Sequence, residues 1–357
     1  MVKASKALIL IISFGLASCL IEIPYDTTLK SQALVISGGV NDLKEDQTIY
    51  LSKTIAYGVP PDPQVGAKVK VLENNTKEYI FDEAQPGVYI LNKNNYEPKT
   101  GATYFVRIEF NGTTYQSDPE TLMPRVVPDS LSWKVGQKTV ISDIGIPRAV
   151  DVLRVQVHTP LNNSEKKLFL KWDVLSSFQF TTMFECNPFH TVFTCYYSKS
   201  LNPDELKIFS NQESTISYLR NQEVAIEDME PNYQFGEIHY YSIFQHRISE
   251  QAYEYYRRLR LVSEQNGTIF DPIPASVHSN VYNTKDKNES VLGYFQVSSV
   301  SVIREKIVFS DFQGVYPLLS KDYNYCGWLR GLGPYYSPCC NCFELPEPVV
   351  SKPNWWP

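Results

Sequence analysis

Cysteine, histidine and the carboxylates are the side chains here that could do chemistry, and one cysteine has a defined setting. Leu16-Ala17-Ser18-Cys19 closes an apolar run, Ala7 to Ala17, which follows a start made positive by Lys3 and Lys6. A Leu, two small residues and a Cys is the pattern of the bacterial lipobox. There the thiol is acylated and the chain is cut just before it. The apolar run of eleven residues falls short of the roughly 20 that a spanning helix needs. Residues 1–18 are therefore expected to be a cleaved signal peptide and Cys19 a lipid anchor. One acyl chain binds a bilayer only marginally, at about 0.8 kcal/mol per buried methylene. A diacylglyceryl group with a third N-acyl chain would join the mature chain firmly to membrane lipid.

Removing residues 1–18 leaves 339 of 357, and losing Lys3 and Lys6 takes the formal charge from −6 to −8. That balance argues against nucleic acid or an anionic surface as a partner. With Cys19 on lipid, six cysteines remain. Outside the cytoplasm an even set is expected to form disulfides. Cys186 and Cys195, nine apart, are the expected bridge. Cys326, Cys339, Cys340 and Cys342 allow three connectivities among themselves, and sequence does not choose between them. Zinc is the weaker alternative, because Cys339-Cys340-Asn341-Cys342 lacks the spaced cysteine pairs of structural zinc sites. No metal or other cofactor is expected.

The usual catalytic signatures are missing: no G-x-S-x-G, H-E-x-x-H, Walker A or G-x-G-x-x-G occurs. The five histidines are His158, His190, His239, His246 and His278. His239 and His246 fall on one expected strand, seven apart, and so on opposite faces. His190, between Cys186 and Cys195, would suit a Cys-His nucleophile, but the disulfide is expected instead. Glu227-Asp228 with Glu230 offers oxygen ligands of the calcium kind without the spacing of a calcium loop, so a solvated turn is expected. No catalytic residue is expected. Four aromatic pairs, Tyr196-Tyr197, Tyr240-Tyr241, Tyr335-Tyr336 and Trp355-Trp356, should each send one ring to the core. Their outward members suit a protein interface more than a sugar. Asp26-Thr27-Thr28 and Asp129-Ser130-Leu131 match an O-glycosylation sequon, making Thr27 and Ser130 candidate acceptors.

The elements that must position these residues are mainly β. Residues 19–32 lack periodicity and read as a tether, about 40 Å long for Leu20 to Gln32 when extended. From 33 to 127, short alternating segments between turns predict about seven strands: Ala33 to Ser37, Thr48 to Ser52, Ala67 to Leu72, Glu78 to Asp82, Gly87 to Leu91, Thr103 to Phe110 and Thr113 to Gln116. Asn111-Gly112 is a two-residue hairpin signal. This density of strands predicts a β-sandwich. Pro124 to Pro128 reads as a linker. A second, larger β-rich domain is expected over 128–357. Its predicted strands are Val150 to Thr159, Lys167 to Val174, Ser177 to Thr182, Gly236 to Gln245, Val291 to Val302 and Glu305 to Phe309. A short strand at Ala225-Ile226 and a turn of helix over Asp204 to Phe209 are also expected. One helix is predicted over 249–265, with Ala252, Tyr255, Tyr256, Leu259 and Val262 at the helical period. Ser249 is its N-cap and Asn266-Gly267 its stop. Glu254 and Arg258 are spaced to pair.

Several segments together resemble a known family: Val65 to Val71, Ser249 to Tyr256, Phe270-Asp271-Pro272, Asn280-Val281, Leu292-Gly293-Tyr294-Phe295, Cys339-Cys340-Asn341-Cys342 and Lys352 to Trp356. They resemble the outer-membrane lipoprotein family of domain of unknown function 4249, across almost the whole mature chain. Genes of that family often lie beside those of TonB-dependent receptors. The resemblance implies an accessory outer-membrane lipoprotein that helps such a receptor capture or admit a substrate, on the cell surface more than the periplasmic face. It brings no catalytic residues. The first domain also resembles small sandwich modules of immunoglobulin-like or carboxypeptidase-regulatory type. Two other functions are weighed against this: a structural or adhesive envelope protein, and a hydrolase with an unrecognised site.

Overall fold

A computed structural model describes residues 32–356 except 55–58, 143, 162–166, 183–191, 202–204, 213–215, 230–232, 236, 264–276, 309–310, 312–341 and 345–348. The first strands are β1 (Leu34–Asn41), β2 (Gln47–Lys53), β3 (Asp62–Pro63), β4 (Lys68–Glu73), β5 (Lys77–Gln85), β6 (Val88–Leu91), β7 (Thr103–Phe110), β8 (Thr113–Ser117) and β9 (Glu120–Thr121). After the linker come β10 (Ser130–Ile141), β11 (Pro147–Pro160), β12 (Phe169–Thr181), β13 (Thr194–Ser200), β14 (Lys207–Ser210), β15 (Tyr218–Asp228) and β16 (Ile238–Arg247). The helix α1 (Glu250–Ser263) and then β17 (Val281–Asn283) and β18 (Val291–Val308) follow.

Local chemistry explains many of these elements. Alternation in β4 buries Val69 and Val71 and exposes Lys68. Asn111 and Gly112, at φ 49° and 75°, take the left-handed conformations that the tight β7–β8 turn demands. Ser249 caps α1, its Oγ accepting from Ala252 N at 3.0 Å. The expected Glu254–Arg258 pair is replaced by Glu254–Arg257, at 2.8 Å. Val262 is exposed rather than buried. The helix packs through Ala252, Tyr253, Tyr255 and Tyr256, in its first two turns, on Phe169, Ile248 and Tyr294.

One path of hydrogen-bonded strands runs β13-β12-β16-β18-β1-β2-β6-β5-β4-β7-β8-β17, and β10-β11-β15 form a separate sheet. A first core gathers Ile36, Ile49, Leu51, Val71, Tyr89, Tyr104 and Ile108. A second core packs Leu170, Trp172, Val174, Tyr241 and Ile243 of the long sheet against Leu153, Val155, Val157 and Ala225 of the three-stranded one. The opposite face of that long sheet carries α1.

The boundary at 127/128 divides the outgoing chain but not the structure. β18 pairs in parallel with β1, from Leu34↔Val291 to Asn41↔Ser298. Val281, Val291, Phe295 and Val297 are buried in the first core. The return segment therefore completes the N-terminal unit. Glycine makes this seam: a Cβ on Gly293, where φ is +86°, would stand 2.0 Å from Ile36 O, and one on Gly39 2.0 Å from Gln296 O. Asn280 also ties it, its side chain bonding both Phe295 N and Phe295 O at 2.9 Å.

Other expectations change. The strands expected at 167–174 and 177–182 are one strand, β12, and those at 291–302 and 305–309 are one strand, β18. The gap expected at Leu175-Ser176 is bridged because Ser176 is buried and bonded to Glu227, as its neighbour Ser177 is to Ser198. β14 occupies 207–210, where a turn of helix is expected. β10 has no counterpart among the predicted strands, because Gly136 and interspersed Ser, Lys and Thr hide its pattern.

Candidate functional site

Among the described residues, the two most exposed large apolar side chains, Ile144 and Ile141, sit on an arm. β10 and β11 pair from Ser130↔His158 out to Ile141↔Pro147. The third strand, β15, joins β11 only from Val152 inward. The five pairs beyond, Gln137↔Asp151 to Ile141↔Pro147, form a two-stranded ribbon about 17 Å long at ~3.4 Å per residue. Its tip carries Ile141, Ile144 and Ile146, 75%, 80% and 58% exposed. Gly145, at φ +77°, makes the turn that holds them outward. Turns are usually polar, so clustered exposed isoleucines make this tip a candidate interaction surface. The signal stood in the sequence: Ile141, Ile144 and Ile146 crowd a turn.

A second grouping looks catalytic and is not arranged for it. Ser176 Oγ lies 3.0 Å from Glu227 Oε1 and 3.1 Å from His239 Nε2. Glu227 Oε2 is 3.8 Å from the same His239 nitrogen. A serine relay needs the carboxylate on the ring nitrogen away from the serine. Here His239 Nδ1 faces the Gln234 carbonyl, at 3.3 Å. All three residues are buried, and Phe235 stacks on the imidazole with centroids 4.7 Å apart. Burial lowers the His239 pKa, against the pull of Glu227, and holds the ring neutral. Tyr241 and the half-exposed Lys199 complete the carboxylate's partners. Glu227 is thus a buried acceptor, not part of the expected solvated turn. The desolvation cost of that carboxylate is offset by three donors. Asp228 pairs with Lys138 at 2.6 Å, and Glu230 lies outside the described residues. Among the described residues, no group of three His, Cys, Asp or Glu could hold a metal.

The third polar centre is Glu120, 4% exposed. It accepts from Tyr294 Oη, from Ser249 Oγ at 2.9 Å and from Val297 N at 3.1 Å. Burial pushes its pKa up to about 7, against the lowering effect of these donors. It links β9, the cap of α1 and β18, three elements distant in sequence. It also lines a cavity of about 330 Å³ with Gln251, Tyr255, Arg258 and His278.

The cysteines depart from expectation. Cys195 is bonded to Cys342, 147 residues away, and not to Cys186. The tail lies back along β13, which spacing alone does not reveal. Tyr197 Oη donates to Cys342 O at 2.9 Å. Tyr196 and Val349 exchange backbone hydrogen bonds at 2.8 and 3.1 Å. Trp356 packs on Tyr240 at 4.7 Å, and Arg304 lies 4.6 Å over the Trp355 ring. These aromatic pairs therefore fasten the tail rather than presenting an interface, and both Tyr240 and Tyr241 are buried. Cys186, Cys326, Cys339, Cys340, Tyr335 and Tyr336 lie outside the described residues, as do Cys19 and Thr27. Ser130 is exposed at the start of β10, donating to Asp129 Oδ1 at 3.0 Å. His239 and His246 do fall on opposite faces of β16: His239 faces the second core, and His246 faces Ser298 beside α1. No helix among the described residues is long and apolar enough to cross a membrane.

These features define a mainly β protein, with two cores along one continuous sheet, a helix on one face and a projecting apolar-tipped arm. The chain belongs to the family described as Domain of unknown function (DUF4249), whose model matches residues 21–304. Two segments that carry the resemblance, Asn280-Val281 and Leu292 to Phe295, are those that close the N-terminal unit. A comparison with curated proteins finds no match.

Proposed function

We propose that this chain is a non-catalytic outer-membrane lipoprotein, anchored through acylated Cys19 at the cell surface. It docks on a TonB-dependent receptor and helps it capture or admit a substrate. The observation that carries this reading is the arm, with Ile141, Ile144 and Ile146 exposed at its tip. Burying an isoleucine is worth about 1.5–3 kcal/mol, so three on one ribbon would contribute roughly 5–9 kcal/mol toward the cost of association. The lipobox supports the membrane tether, and the resemblance to a family encoded beside such receptors supports the partner. The sealed geometry of Ser176, His239 and Glu227 supports a role without catalysis.

Co-purification from membranes in mild detergent tests the proposal. Recovery of a complex with a receptor is the expected result. Recovery of the chain alone, while a neighbouring receptor is present in the same membranes, refutes it. Loss of surface attachment with intact uptake on deletion would favour the structural or adhesive alternative.

A further inference from the structure

We infer that the open cleft lined by β12, β16, β18, β1, β2 and α1 is a binding site for a small, uncharged, polyhydroxylated ligand of about one sugar unit. It holds about 320 Å³, at the lower end of the roughly 300–1,000 Å³ typical of ligand pockets. It lies at the seam where the second half of the sheet meets the first. Gly38 and Gly39 line it without side chains, because the neighbouring strands leave no room for a Cβ at either position. Glycine inside a strand often marks such a close approach of backbone or ligand.

One wall is a continuous chain of hydrogen bonds. Tyr256 Oη donates to Gln296 Oε1 at 2.7 Å. Gln296 Nε2 donates to Ser298 Oγ at 3.0 Å. Ser298 Oγ lies 3.1 Å from His246 Nδ1, and His246 Nε2 lies 3.0 Å from Asp173 Oδ2. Lys171 Nζ closes the chain on both Asp173 oxygens, at 2.7 and 2.6 Å. The wall is pre-positioned, because each side chain is held by the next.

The ligand class follows from what this wall leaves over. The charge of Lys171 is offset by Asp173 behind the wall, and Asp46 supplies a carboxylate to the lining. A carboxylate or phosphate would therefore face Asp46 and a Lys171 already neutralised by Asp173, and an ammonium would face Lys171. The spare capacity is mixed. An ammonium has three protons, so Lys171 keeps one donor beyond the bonds above; the second amide proton of Gln296 faces His246 Nδ1 at 3.4 Å, and its Oε1, which accepts from Tyr256, keeps one lone pair. Thr48 contributes a hydroxyl, and Asp46 keeps an oxygen beyond the one that accepts from Lys93 N. A hydroxyl both donates and accepts, so a neutral polyol satisfies donors and acceptors together, which a purely anionic or cationic group does not.

Histidine-selective proton–nitrogen NMR of the purified chain tests this without any receptor, so its outcome is independent of the docking proposal. The probes are D-glucose, D-mannose, N-acetyl-D-glucosamine and myo-inositol, with D-glucuronate and D-glucosamine as charged controls. A neutral probe is expected to shift the His246 resonance saturably and to leave His239, on the other face of the strand, in place. Thr48→Val keeps the side-chain shape and Gln296→Leu removes the amide. Each should weaken binding about fivefold, the loss of one hydrogen bond near 1 kcal/mol. The inference is overturned if no neutral probe moves His246, if a charged control binds more tightly, or if neither variant changes the affinity.

Discussion

Replacing Glu120 with Gln should remove a defined part of the protein's pH dependence. Glu120 is 4% exposed and its pKa is raised from 4.5 to about 7, chiefly by burial. Between those values the folded chain keeps a proton that the unfolded chain has released. Stability from the protonated carboxyl is therefore full below about pH 4.5 and is lost as pH rises through about 7. At about 1.4 kcal/mol for each tenfold change, the whole span is worth about 3 kcal/mol. Gln has nearly the same shape, keeps an oxygen for Tyr294 and Ser249, gives up the acceptor of Val297 N equally at every pH, and does not titrate. Urea unfolding of both proteins, followed by circular dichroism from about pH 5 to about pH 8, isolates the effect because every other group is shared. Wild type should lose about 2–3 kcal/mol relative to Glu120→Gln across that range. Parallel curves would refute the reasoning, and so would a wild type that gains on the variant as pH rises.

Gly293→Ala should cost more than about 3 kcal/mol, because it combines a left-handed φ with a backbone clash at Ile36. Gly293→Asn, which tolerates the conformation better but meets the same oxygen, should fail to rescue it in urea unfolding. Cys342→Ser should release the tail from β13 and lower stability by about 2–4 kcal/mol. Tryptophan emission should shift red as Trp355 and Trp356 leave Tyr240, and unchanged emission and protease sensitivity would contradict the strap. Changing Ile141, Ile144 and Ile146 together to Ser should abolish recovery of the receptor complex and leave the melting temperature within about 2 °C, since the side chains are already in water.

The parts of this protein legible in the sequence were those whose cause is local. Alternation in β4 and β7, the left-handed Asn111-Gly112 turn and the Ser249 cap each depend on residues a few positions apart, and the structure places each as expected. The opposite facing of His239 and His246 followed from the two-residue period of a strand. What only the tertiary structure decided depends on partners far along the chain. β1 finds its parallel neighbour at Leu34↔Val291, a pairing that no local pattern encodes. Leu175-Ser176 read as a gap between strands, and Glu227 as a wet turn, until Ser176 and Glu227 met each other in the core. Cys195 chose Cys342 over the nearer Cys186 because the tail docks along its strand. A turn, a cap or a strand face is set by neighbours in sequence, whereas a buried polar group or a disulfide depends on what the fold brings opposite it.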